Sequence, residues 1–221
     1  MRSTPAPAAE TKANAMNLYF APNACSLAVH IAAREAGLPI GLIPVDLATH
    51  TLADGSDYSA INPRGYVPAL ALDDGTVLTE VAALVQYIAD LRPESNLAPK
   101  PGTLERVKLQ AWLTFIGTEL HKQFSPWLWH ADTAESTVRA IKDKIATRFA
   151  ELDRVFAKQP WLTGERFTIA DAYAFAIVRW APLMKMSLDA YPALRQWLAR
   201  VEARPHVAAA IAAERTKREA A

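Results

Sequence analysis

Cysteine is nearly absent: Cys25 is the only one in 221 residues. That excludes an intramolecular disulfide and a cysteine-rich metal site, and it fits a reducing, cytoplasmic compartment with no metal expected. Long apolar runs are missing as well. No stretch approaches the ~18 residues a bilayer-spanning helix needs, so no membrane role is expected. Charge of one sign is also lacking. Twenty-four Lys and Arg against 23 Asp and Glu leave a net charge of +1. No basic stretch reaches the density of a phosphate-binding face, which argues against a nucleic-acid partner. Arg215, Lys217 and Arg218 read instead as a solvated helix end. Residues 1–15, rich in Ala, Pro and Thr, lack the apolar core of a secretory signal. They are expected to be a disordered extension, with a cloning remnant or a weak targeting segment as alternatives.

What is present suits a globular chain: 51% of residues are hydrophobic and 21% charged, enough for one large domain or two modest ones. Asn17 to Phe20 reads as a short buried strand. A helix follows from about Ser26 to Ala36 and stops at Gly37. Ile40 to Val45 reads as a second strand, with Pro44 marking an edge position or a strand end. Asp46 to Pro63 is polar and irregular. Val67 to Leu72 and Thr76 to Leu78 form a hairpin about Asp73-Asp74-Gly75, and a helix spans Val81 to about Leu91. After Pro93 every segment has helical period. Leu104, Val107, Lys108, Ala111, Trp112, Phe115 and Leu120 line a long helix that Pro126 bends or ends. Val138, Ile141, Ile145, Phe149, Leu152 and Phe156 mark the next. Asp171 to Met186 and Ala193 to Val201 continue the bundle. The expected architecture is an α/β unit at 16–95, a linker at 96–102 and an all-helical unit at 103–221.

Several residues point to chemistry. Cys25 stands between the first strand and the first helix, where the positive end of the helix dipole favours a thiolate. Its pKa is expected to fall, giving a nucleophile or a thiol-exchange site. Pro68 has two readings: a harmless proline at a strand start, or a cis Val67-Pro68 bond that turns the Val67 backbone outward to pair with an extended peptide. Glu80 either follows the ordinary acidic preference at a helix start or belongs to a carboxylate-binding helix N-terminus. His121 and Lys122 are either a solvated pair or a polar patch facing an interdomain cleft. Thr168 and Asp171 form a capping box, flanked by Phe167 and Ala172 as a weak staple, and are assigned to folding. Losing Thr168 there costs ~1 kcal/mol or more.

Taken together, Asn23-Ala24-Cys25-Ser26-Leu27, Asn62-Pro63-Arg64-Gly65-Tyr66-Val67-Pro68-Ala69-Leu70, Leu78-Thr79-Glu80, Thr118-Glu119-Leu120-His121-Lys122 and Phe167-Thr168-Ile169-Ala170-Asp171-Ala172-Tyr173 run in one order. In that order the chain resembles a glutathione S-transferase of the bacterial beta class, from Met16 to about Glu214. The resemblance implies a thioredoxin-like domain followed by a helical domain, in a homodimer. It places Cys25 beside the glutathione sulfur, Val67 and Pro68 on the cysteinyl backbone, and Glu80 with Val81 at the γ-glutamyl end. It sets His121 and Lys122 at the cleft where an electrophile enters, and Thr114 and Thr118 on the same helix toward glutathione from the partner subunit. Three positions depart from the family pattern. Phe20 stands where a tyrosine is usual, Val81 replaces a serine or glycine, and Thr114 replaces an asparagine. Tyr19, one place before Phe20, should face the other side of its strand.

The implied activity is detoxifying transfer of glutathione to soft electrophiles, with Cys25, Ser26 and His121 as catalytic residues. Disulfide or peroxide reduction through Cys25 is a second mode. The chain has no second cysteine to resolve a disulfide, so an external thiol such as glutathione must do it. The alternatives are a glutathione-dependent isomerase or dehalogenase on the same fold, or a non-catalytic ligand-binding or partner-docking protein.

Overall fold

Side chains alternate along strand β1 (Asn17–Phe20): Leu18 and Phe20 are fully buried on one side and Tyr19 lies on the other. In the computed structural model, which describes residues 16–219, β1 is the centre of a five-stranded sheet ordered β3-β2-β1-β4-β5. The extension expected at residues 1–15 lies outside the described residues. Helix α1 (Leu27–Glu35) carries the chain over to β2 (Gly41–Asp46), parallel to β1 with Phe20 opposite Pro44. Its C-terminus closes on Gly37 at φ 66°, where Leu38 N–H bonds back to the Ala33 carbonyl at 2.9 Å.

β3 (Thr51–Leu52) pairs antiparallel with Val45 and Asp46 of β2. It lies inside the stretch read as irregular, and two residues are too few for alternation to reveal. Pro44 precedes that pairing, so its missing N–H forfeits no bond to β3. The hairpin of β4 (Ala69–Ala71) and β5 (Val77–Thr79) forms where expected, turning at Gly75 with φ 86°. Helix α2 (Val81–Leu91) follows.

The second unit begins with α3 (Leu104–Phe115), runs through a π-helical segment (Ile116–His121) and ends with the single turn α4 (Lys122–Phe124), just before Pro126. The apolar stripe expected to line this helix is only partly its buried face. Leu120 is buried as expected and Trp112 and Phe115 pack against the core, but Leu104 and Val107 are 64% and 58% exposed, whereas Arg106, Leu109, Leu113 and Ile116, outside that stripe, are buried. Apolar residues occupy two faces here, so periodicity alone does not choose between them. Helix α5 (Glu135–Phe156) buries Ile145, Phe149, Leu152 and Phe156 as expected.

Every residue of α6 (Ile169–Val178) is buried. This helix is the spine of the molecule, packing on α1 and α2 as well as on α3 and the π segment. The short α7 (Trp180–Leu183), α8 (Pro192–Glu202) and α9 (Pro205–Glu219) complete the bundle. α9 folds back on α1, and Arg215 is exposed near its end. The side chains of Lys217 and Arg218 lie outside the described residues. One core cluster therefore runs from Leu18 through α1 and α6 to Trp197.

A buried guanidinium fastens the two units. Arg106 meets Asp90 of α2 through both terminal nitrogens, at 2.8 and 2.6 Å, and donates to the Pro99 carbonyl at 2.9 Å. Its Nε is, among the described residues, the one sealed side-chain nitrogen or oxygen without a partner. Asp90→Ala is expected to cost about 2–3 kcal/mol, less than a fully sealed pair, because Asp90 is 41% exposed. The measurement is a lower urea midpoint at unchanged m.

Candidate functional site

The turn between β1 and α1 is built by backbone and hydroxyl bonds. Ala21 O accepts from Ala24 N–H at 3.0 Å and from the Ser26 hydroxyl at 3.3 Å, and Ala21 N–H donates back to Ser26 Oγ at 3.4 Å. Ser26 is fully buried. Its hydroxyl shapes the turn and is already engaged there. Asn23 adopts φ 64°, and its carbonyl accepts from Trp180 Nε1 at 2.6 Å. The turn is thus tied to the helical unit and holds Cys25 at the start of α1.

Cys25 is 7% exposed, and its Sγ donates to the Val67 carbonyl at 3.4 Å. Burial pushes the thiol up to about 12, against the opposing pull of its own N–H and that of Ser26 and of the Lys122 charge. The fall expected from the helix dipole does not occur in this structure. Desolvation of a sealed sulfur outweighs the partial charges of one helical turn.

Val67 is delivered by a pinned loop. Tyr66 O accepts from the Tyr58 hydroxyl at 2.8 Å and from Asn62 Nδ2 at 2.7 Å. Gly65 has φ 67°, and a Cβ there would lie 2.7 Å from the His50 ring, so glycine is required. The Val67-Pro68 bond is cis, as the second reading of Pro68 requires. Among the described residues, no acceptor meets the Val67 N–H. Glu80 precedes α2 at φ 73°, with its carboxylate 73% exposed and 3.2 Å from Arg64. Val81, the first residue of the helix, is buried.

From the helical unit, the π segment brings His121 and Lys122 to the same region, a common use of π turns. His121 Nδ1 lies 2.8 Å from the Tyr173 hydroxyl, and its ring meets Trp180 edge-on at 5.2 Å. Burial, with the neighbouring Lys122 charge, lowers His121 to about 4, so the imidazole is neutral near pH 7. Lys122 is exposed, with Nζ 5.8 Å above the Tyr66 ring. Trp129, 48% exposed, packs edge-on against Trp180 at 5.6 Å.

The structure therefore gathers Cys25, Val67, Pro68, His121 and Lys122, with Glu80 close enough for its charge to act on Cys25. It does not bring Thr114 or Thr118 there within one chain. Both are exposed on the far face of the helix, where the Thr118 hydroxyl donates to the Thr114 carbonyl at 3.0 Å. Tyr19 leans on Tyr58, ring centroids 5.5 Å apart, in a small cluster on the opposite face of the sheet from Phe20. A groove of about 920 Å³ between the linker, α3 and α5 is lined by none of these residues. Among the described residues, no group of three His, Cys, Asp or Glu side chains could hold a metal ion.

The thioredoxin-like unit and the helical bundle each match a family model. One, the glutathione S-transferase N-terminal domain, covers residues 24–91; the other, the C-terminal domain, covers residues 115–205. The chain belongs to the glutathione S-transferase family. Its curated relatives include glutathione S-transferase GstA of Escherichia coli O157:H7, 42% identical over 91% of this chain and all of that one. Glutathione S-transferase GST-4.5 of Xanthomonas campestris is 35% identical over 90% of this chain and 98% of its own. Among solved structures, the ternary complex of BphK, a bacterial GST, superposes with TM-score 0.87 at 44% identity, covering 90% of this chain and 98% of that one. A sphingomonad glutathione S-transferase complexed with glutathione gives 0.86 at 40% identity and the same coverage.

Five residues of this candidate site were not singled out from sequence: Asn23, Tyr66, Trp129, Tyr173 and Trp180. Asn23 and Tyr66 act through backbone carbonyls, which leave no side-chain signature. Tyr173 and Trp180 had a usable signal. Each carries a polar tip within an otherwise apolar helical run, and a buried tip of that kind requires a partner.

Proposed function

We propose that this family member conjugates glutathione to soft, apolar electrophiles in the cleft between its two units. The observation that carries the reading is the Cys25 Sγ contact with Val67 O, at 3.4 Å, beside an unpaired Val67 N–H. An extended tripeptide that pairs with the Val67 backbone sets its own sulfur next to Cys25. Glu80 would hold the γ-glutamyl ammonium, and the first N–H groups of α2, starting at Val81, its carboxylate. Pro68 fixes the shape of the strand entry. Lys122 and the start of α1 favour the glutathione thiolate. Cys25 then acts as a neutral S–H neighbour, and Ser26 supports the turn. His121 borders the electrophile, for which Trp129 and Trp180 offer an apolar wall. The thiolate attacks carbon, a carbon–sulfur bond forms and the leaving group departs with its electron pair.

The high thiol pKa favours conjugation over exchange through Cys25, since exchange needs a thiolate. The same reading makes the protein a cytoplasmic homodimer, with a glutathione-binding unit at 16–95 and a helical unit at 103–221. Leu104 and Val107 support the dimer as exposed apolar residues without cover in the single chain. Thr114 and Thr118 continue the Val107 stripe at helical spacing, which would direct them to a partner's glutathione.

Immobilised glutathione should retain the native protein and free glutathione should release it. A model aryl halide should then be turned over faster than hydroxyethyl disulfide. Failure of retention would overturn the reading in favour of a carrier on the same fold, and a reversed substrate order would restore thiol exchange.

A further inference from the structure

A buried phenol and a neutral imidazole share one hydrogen bond beside this cleft, and the direction of that bond decides what the imidazole offers. Tyr173 is 3% exposed on α6, and among the described residues His121 Nδ1, at 2.8 Å, is the only hydrogen-bond partner of its hydroxyl. A phenol O–H sealed from water must donate to an acceptor. Burial raises the Tyr173 pKa, which keeps that proton on oxygen. Nδ1 is therefore the acceptor and carries no hydrogen. In a neutral ring the proton then resides on Nε2.

Nε2 forms no hydrogen bond within the described residues. It is not sealed either, because Arg106 Nε is the one sealed side-chain nitrogen or oxygen left unpaired there. The ring cannot easily turn. Tyr173 meets it edge-on at 5.8 Å and Trp180 at 5.2 Å, and Trp180 is itself anchored to the Asn23 carbonyl in the turn that carries Cys25.

We propose that Tyr173 is a positioning residue that fixes His121 as the Nε2–H tautomer, so that an uncharged ring presents a hydrogen-bond donor to the cleft beside Cys25. Such a donor serves anionic sulfur or a departing anion without bringing a second cation next to Lys122. This second step rests on the proposed binding of a thiol substrate at Cys25. The tautomer itself does not.

The test is therefore made on the free protein. Long-range ¹H–¹⁵N correlation of the His121 ring at pH 7, assigned by its loss in His121→Gln, distinguishes a protonated Nε2 from a protonated Nδ1. We expect the Nε2–H pattern in the native protein and a mixture of tautomers in Tyr173→Phe. An Nδ1–H pattern in the native protein would overturn the proposal whether or not the variant folds. So would an unchanged pattern in a folded Tyr173→Phe. In turnover with an aryl halide, Tyr173→Phe should lower kcat about 10-fold with KM for glutathione within about twofold, the signature of a lost transition-state donor. A rise in KM at unchanged kcat would assign Tyr173 to binding instead and overturn the donor role.

Discussion

Iodoacetamide should label Cys25 in the native protein on the order of 10³-fold more slowly than in the urea-unfolded chain at the same neutral pH. The reactive species is the thiolate, and an exposed cysteine has a pKa of about 8.5. In the fold, burial pushes Cys25 up to about 12. Three or more units separate the two states, and each unit removes tenfold of the reactive form. The sulfur's position at a helix start works the other way, as does Lys122, yet neither restores the hydration lost under 7% exposure. Intact mass after oxidised glutathione should likewise show little adduct on the native protein, and none on Cys25→Ala. Labelling within tenfold of the unfolded rate would mean that the turn opens readily. It would also bring Cys25 back as an exchange nucleophile.

That sulfur shows where reading a sequence stops. Its place between β1 and α1 followed from the apolar run Leu18–Phe20 and the helical period after Ser26. Its protonation follows from burial against distant segments such as Val67, 42 residues away, a contact that no local pattern encodes. The same distinction holds across the fold. The hairpin at Gly75, the helix Val81–Leu91 and the Thr168–Asp171 box are local decisions, made by turn chemistry, period and capping, and they were legible. The buried face of α3 was not, because Leu104 and Val107 compete with Leu109 and Leu113 for the core, and α6 settles the choice. The cleft is harder still. His121 reaches it through a π turn, which shifts the helical register, and Tyr173 and Trp180 come from helices more than fifty residues later. A family resemblance supplied Val67, Glu80 and His121 as candidates. It did not supply the bonds that orient them.

Asp171→Ala is expected to destabilise the protein by about 3–5 kcal/mol at pH 7, the largest effect of any single polar substitution considered. The carboxylate is fully buried. Oδ2 accepts from the Thr168 N–H at 3.0 Å and from its hydroxyl at 3.1 Å. Oδ1 accepts from the Leu162 N–H at 3.0 Å and from Trp197 Nε1 at 3.1 Å. The bond from the Thr168 N–H is Asp171's half of the capping box. The second pair makes Asp171 the joint between α6, α8 and the segment before α6, so truncation strands donors in three places at once. Burial raises this carboxyl to about 6 in the fold, against 3.8 ordinarily. The folded chain thus holds the proton more tightly than the unfolded chain. Stability from this group is complete below pH 4 and is lost as pH rises through 6. The isosteric Asp171→Asn cannot titrate. Its urea midpoint should therefore lie furthest below wild type in acid, with the gap narrowing between about pH 4 and 6 and level above that. A gap that widens with pH over that range would mean the four donors outweigh burial and hold Asp171 ionised throughout.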